Sequence, residues 1–167
     1  DAHKGKGLGN KFLNDIARAD VLLHVVDLSG MLDKSGNLIS TGYNDPYEDI
    51  IFIEEEINLW FKEIIEREDW NKFTKKYLRE KKKFIEGLQE RLSGIKVSKE
   101  ELVSALKKTN LYEKNPSEWN EEDIFEFSKN LREISKPILI IGNKIDKKQS
   151  MENLHALKKK YQKPIIP

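Results

Sequence analysis

Ile138-Leu139-Ile140-Ile141-Gly142-Asn143-Lys144-Ile145-Asp146 is the stretch that decides the fold. Four consecutive aliphatic residues between Pro137 and Gly142 read as a buried strand, and the polar tetrapeptide follows it directly. In open α/β sheets a ligand sits beyond the carboxyl ends of the strands, which is where Asn143–Asp146 falls.

The residue types in that tetrapeptide have a chemical reason. A carboxylate only accepts, and it can take two parallel N–H bonds. Guanine offers such a pair at N1–H and its 2-amino group, whereas adenine offers neither. Asp146 is therefore the expected base reader, and one good bidentate pair discriminates by about 1–3 kcal/mol. Lys144 can lay its four-carbon stem on a purine face while its ammonium stays wet. Asn143 has donor and acceptor capacity for the base edge and for neighbouring loops. A polar turn matching by chance is the competing reading, and the position between a buried strand and a capped helix argues against it.

Towards the carboxyl end, Ser150 is the expected cap of a short helix through Leu154, Leu157 and Tyr161, and Pro164-Ile165-Ile166 starts another strand. Towards the amino end, residues 45–135 are helical in pattern. Asp45-Pro46-Tyr47-Glu48 supplies a cap, a first-turn proline and an acid, and Ile50, Ile53, Ile57, Trp60, Phe61 and Ile64 follow at helical spacing. Trp70, Phe73, Tyr77, Phe84, Leu88 and Leu92 form one stripe, predicting a second helix that ends near Ser93-Gly94 and makes a long antiparallel hairpin with the first. Ser98-x-x-Glu101 is a capping box for a third helix, and a fourth after Asn120 turns Ile124, Phe127, Leu131 and Ile134 inward. These apolar stripes are expected to be core.

Residues 1–44 open with Gly5-Lys6-Gly7-Leu8-Gly9, continue in a helical pattern through Phe12, Leu13, Ile16 and Ala17, and reach Val21-Leu22-Leu23-His24-Val25-Val26 before Asp27. A run this apolar predicts a strand covered on both faces. The Gly- and Asn-rich tract 29–44 reads as a loop. The organisation is an α/β part (1–44 and 136–167) interrupted by an all-helical insertion (45–135). The glycines precede a helix with no strand before them, so a dinucleotide fingerprint is not the reading. His24 is expected to be a satisfied core residue, and His3 and His155 lack metal-ligand spacing.

Composition bounds the classes. Charged residues (35%) nearly match apolar ones (38%), and 30 basic against 29 acidic side chains give no net-charge argument for a nucleic-acid or membrane partner. The absence of cysteine excludes disulfides and thiolate metal sites and fits a cytoplasmic setting. No apolar run approaches the roughly 20 residues of a membrane span.

Lys4-Gly5-Lys6-Gly7-Leu8-Gly9-Asn10-Lys11-Phe12-Leu13-Asn14-Asp15-Ile16, running into Ala19-Asp20-Val21-Leu22-Leu23-His24-Val25-Val26-Asp27, resembles the Obg-related P-loop GTPases, nearest their YchF-type branch in an archaeal style. Ser35-Gly36-Asn37 and Asn44-Asp45-Pro46-Tyr47-Glu48-Asp49-Ile50 resemble the same branch. The resemblance implies the C-terminal half of a Ras-like domain, with residues 1–27 as second switch and following strand and with a coiled-coil-like helical insertion. It further implies a cytoplasmic, ribosome- or translation-associated GTPase that hydrolyses GTP to GDP and phosphate. Many members of this branch have altered the base-reading motif and prefer ATP. This chain retains Asn143, Lys144 and Asp146, which implies GTP.

Gly-x-x-x-x-Gly-Lys-Ser/Thr does not occur in the sequence, and no catalytic residue or metal ligand is assigned in it. The resemblance implies that Mg²⁺ belongs to the intact protein, held by residues outside this chain, and that the chain is an inactive piece cut at both ends and prone to self-association. The basic run Lys75-Lys76-Tyr77-Leu78-Arg79-Glu80-Lys81-Lys82-Lys83 reads first as a solvated helix face. Its functional alternative is RNA or ribosome contact through the hairpin. On that alternative the chain is an RNA- or protein-binding helical module on a nucleotide-fold scaffold.

Overall fold

The computed structural model describes residues 9–32, 37–38, 44–67, 69–77 and 80–167, without the side chains of 9–12. Expectations resting on His3, Gly5, Gly7, Ser35-Gly36, Leu78 and Arg79 lie outside the described residues. The fold is mixed α/β, and contacts divide it into a sheet unit and a helical unit.

The sheet unit holds three parallel strands in the order β1 (Leu22–Asp27), β2 (Ile138–Asn143), β3 (Ile165–Ile166). Leu22 pairs with Ile138 and Asp27 with Asn143, so β1 and β2 end level with one another. The inner face is covered by the first part of α2 (Pro46–Glu66) and by α7 (Ser150–Lys160). Val26, Leu28, Ile50, Ile140, Leu154, Leu157, Tyr161 and Ile165 form its core. Tyr161 Oη donates to Glu54 Oε1 at 2.6 Å, which satisfies a buried acid on α2 from the end of α7.

The expected double coverage of β1 holds on one face only. Val21, Leu23 and Val25 alternate outward, 54%, 65% and 58% exposed, while Val26 is buried. Alternation has a period of two, so an uninterrupted apolar run cannot say which of its faces is covered. β1 is also an edge of this sheet.

The helical unit contains α1 (Gly9–Arg18), the rest of α2 from Glu56, α3 (Trp70–Lys75), α4 (Lys81–Arg91), α5 (Lys99–Lys108) and α6 (Glu121–Ser135). The division therefore differs from boundaries at 44 and 135: α1 groups with the helices, and Pro46–Glu55 with the sheet. Leu13, Ile16 and Ala17 of α1 are buried, and Lys136 Nζ donates to Ala19 O at 2.6 Å.

The second expected helix is two helices, α3 and α4. Lys72, Lys75 and Lys76 stand three and four residues apart, and such like-charge pairs each oppose helix continuation by about 0.2–0.5 kcal/mol. The break brings Trp70 and Phe84 within 6.2 Å, and Trp119 packs 5.4 Å from Trp70 and 5.3 Å from Phe127. The aromatic stripe is core, as expected, but its packing is a cluster in which α4 meets α5 and α5 meets α6. The expected capping box of Ser98 with Glu101 is formed, and the structure adds a second, of Asn120 with Asp123. Among the described residues no helix is long and apolar enough to cross a membrane.

Candidate functional site

The parallel register places the ends of β1 and β2 side by side, and the candidate site is built on these two ends. Gly142 makes the close approach possible. A Cβ there would lie 2.6 Å from Leu28 Cδ1, so Leu28 can pass beneath the end of β2 only because residue 142 lacks a side chain. Leu28 is fully buried, its N–H donates to Asn143 O at 3.1 Å, and its carbonyl accepts from Asn153 Nδ2 at 2.8 Å. One residue thereby ties β1, β2 and α7 together below the loop.

Asn143 accepts at Oδ1 from the Lys144 N–H at 2.8 Å, using its side chain to shape the turn. Lys144 is left-handed at φ 61°, a region that costs a non-glycine residue about 1 kcal/mol or more and is concentrated at functional loops. Its carbonyl is held by Ser150 Oγ at 2.6 Å and by Lys147 N at 3.1 Å. Ser150 was expected to cap α7. It lies instead inside the first turn, after Gln149, and its buried hydroxyl reaches back to the loop. Spacing alone cannot separate a cap from a first-turn hydroxyl one residue later.

The Lys144 side chain, expected to keep its ammonium wet, is 34% exposed, and the ammonium lies 3.0 Å from Asp27 Oδ2. Asp27 Oδ1 accepts from the Ser29 N–H at 2.9 Å and from Ser29 Oγ at 2.6 Å. Burial pushes the Asp27 carboxyl up, but the hydrogen bonds from Ser29 and Lys144 together outweigh it, leaving its pKa below the ordinary value. Asp27 and Ser29 are functional candidates that motif reading missed. The available signal was an acid ending an apolar run; that it ends level with Asn143 is seen only in the structure.

Asp146 stands open, its side chain 71% exposed and one oxygen 3.3 Å from Lys147 Nζ. The structure thus brings Asn143, Lys144 and Asp146 onto one loop at the strand ends, with the first two braced and the third presented to solvent. His24 is set apart from them, on the inner face of β1. It is half-buried beside the core rather than part of it, and its Nδ1 has no hydrogen-bond partner, so the expected satisfied core histidine is neither fully buried nor satisfied. Among the described residues no group of three or more His, Cys, Asp or Glu side chains is placed to hold a metal ion.

No protein-family profile matches the chain. It is 36% identical over 165 residues to a GTP-binding protein of Methanocaldococcus jannaschii, covering 99% of this chain and 40% of that protein. It is 35% identical over 160 residues to a GTP-binding protein of Schizosaccharomyces pombe, covering 95% of this chain and 38% of that one. A 66-residue stretch, 40% of this chain and 13% of the relative, is 41% identical to the GTPase Obg of Lysinibacillus sphaericus. The crystal structure of a GTP-binding protein from Pyrococcus horikoshii OT3 superimposes with a TM-score of 0.81 at 35% identity, over 93% of this chain and 45% of that one. The relatives matched almost throughout carry the name GTP-binding protein, and the one matched over 66 residues the name GTPase Obg. The chain spans about two fifths of the length of the two GTP-binding relatives it matches almost throughout.

Proposed function

We propose that this chain is the guanine-reading part of an Obg-like GTP-binding protein, with Asn143, Lys144 and Asp146 contacting the base. The observation that carries this reading is the asymmetry of the loop. Lys144 is pinned at both ends, by Ser150 through its carbonyl and by Asp27 through its ammonium, while the Asp146 carboxylate is left to solvent. A purine would lie along the Lys144 stem, and Asp146 would accept the guanine N1–H and 2-amino protons. Asn143 holds the turn from which both project.

In this proposal the intact protein belongs to the YchF-type branch and hydrolyses GTP to GDP and phosphate, with Mg²⁺ held by residues outside this chain. Phosphoryl transfer depends on phosphate positioning and charge stabilisation. The residues described here supply base recognition, and no step of hydrolysis is assigned to them.

Competition of GTP and ATP for the full-length protein tests the reading, with GTP expected to bind more tightly by tenfold or more, on the order of the discrimination one bidentate pair supplies. Asp146→Asn should weaken GTP and improve binding of xanthosine triphosphate, which carries a carbonyl where guanine carries its amino group. Equal ATP affinity, or no gain for the xanthine nucleotide, removes Asp146 from the base edge.

A further inference from the structure

Asp146 sits in the middle of a turn that is anchored from outside itself. The Lys147 N–H donates to Lys144 O at 3.1 Å, closing a four-residue turn with Ile145 and Asp146 at its centre. The Ser150 N–H donates to Lys147 O at 3.0 Å, so a second turn follows the first and carries the chain directly into α7. Each of these bonds closes within its own turn, and neither fixes how the first turn is rotated against the helix.

The Ser150 hydroxyl supplies that constraint. A carbonyl oxygen has two lone pairs, and Lys144 O uses the second to accept from Ser150 Oγ at 2.6 Å. Ser150 has no exposed surface, so its hydroxyl is committed to this acceptor instead of to water. The residue it holds is the left-handed Lys144, at φ 61°, a conformation that persists only where the surroundings enforce it. Asn143 Oδ1 secures the Lys144 N–H at 2.8 Å and Ser150 secures its carbonyl, so the peptide units on both sides are fixed. Asp146, with its carboxylate in solvent beside Lys147 Nζ, takes its direction from that backbone.

One turn further along α7, Asn153 acts on the other strand. Its Nδ2 donates to Leu28 O at 2.8 Å, directly after the Asp27 that holds Lys144 Nζ. The first turn of α7 therefore reaches the base loop through Ser150 and the end of β1 through Asn153.

We infer that Ser150 is the positioning residue for guanine selectivity: its hydroxyl sets the direction of the Asp146 carboxylate, while Asn153 sets the strand end that braces Lys144. The inference rests on the base reading proposed above. Two parallel N–H bonds need both carboxylate oxygens aligned with the base edge, whereas a single bond tolerates a tilt. A turn free to swivel keeps the bond from N1–H and loses the bond from the 2-amino group. Hypoxanthine has the N1–H without the amino group, so the ratio of GTP to inosine triphosphate affinity reads the second bond alone.

The experiment measures dissociation constants of GTP and inosine triphosphate for the full-length protein and its variants by isothermal titration. The parent should prefer GTP by about tenfold or more, the range of a hydrogen bond to a charged acceptor. Ser150→Ala should cut that preference to about threefold or less, with the loss falling on GTP. Asn153→Ala should lower both affinities together and keep the ratio. In an Asp146→Ala background Ser150→Ala should no longer lower GTP affinity, because the group it positions is gone. A preference retained in Ser150→Ala, even with a lowered urea midpoint, gives the hydroxyl a structural role only and overturns the inference. An equal collapse of the ratio in Asn153→Ala overturns it too, as does an undiminished loss in the Asp146→Ala background. A parent protein with no preference for GTP over inosine triphosphate removes the base reading itself, and this inference with it.

Discussion

The ammonium of Lys144 lies 3.0 Å from the carboxylate of Asp27, 117 positions earlier in the chain, across the level ends of two parallel strands. That contact turns the lysine proposed to read the base from a flexible stem into a braced one. Asp27 is itself fixed by two bonds from Ser29, so little entropy remains to be lost when a ligand arrives.

If Asp27 acts through Lys144, Asp27→Asn in the full-length protein should weaken GTP and GDP about equally, by roughly three- to tenfold, the range of about 0.7–1.4 kcal/mol usual for a charged hydrogen bond partly open to water. In a Lys144→Met background the same substitution should cost almost nothing more. Isothermal titration of the four proteins of this cycle gives the coupling directly. Additive losses would show that Asp27 works independently of Lys144. The lowered Asp27 pKa also sets a pH window. Its contribution to stability is present above the ordinary carboxylate pKa and disappears as pH falls through the depressed folded value.

Gly142→Ala places a methyl group 2.6 Å from Leu28 Cδ1, in the core beneath the loop. Overpacking of this kind costs about 1–3 kcal/mol, read as a drop in the urea midpoint. Leu28→Ala destabilises alone by opening a cavity, but combined with Gly142→Ala it should recover part of the loss, because the added methyl fills space the leucine vacated. A double variant less stable than the sum of the singles would contradict the close approach.

Burial lowers the pKa of His24, an effect that Asp49 and Glu54 only partly offset, so the folded protein favours the neutral ring. As pH falls below the unfolded value of 6.5, the unfolded chain takes up the proton first and stability declines towards the folded pKa. Denaturation midpoints should therefore fall between pH 7 and pH 5.5, before most carboxylates titrate. His24→Gln should flatten that slope. An unchanged slope in the variant would assign the pH dependence to other groups.

The strands, the capping box at Ser98, the helix start after Asn120 and the polar tetrapeptide after β2 were legible because each is a local pattern: an apolar run, a side chain reaching three residues along, a short motif after a strand. Local patterns set which residues can form an element, and here they also placed Asn143, Lys144 and Asp146 on a loop at a strand end. They could not show that Lys144 is held by Asp27, that Ser150 braces the loop instead of capping α7, or that Gly142 is the space Leu28 occupies. The first and third depend on two segments far apart in sequence meeting at one distance, which the parallel register of β1 and β2 decides, and the second depends on how the loop between β2 and α7 turns. The break between α3 and α4 and the bare outer face of β1 belong to the same class. Helical period and apolar content are properties of a segment, whereas where a helix stops and which face is covered depend on what packs against it.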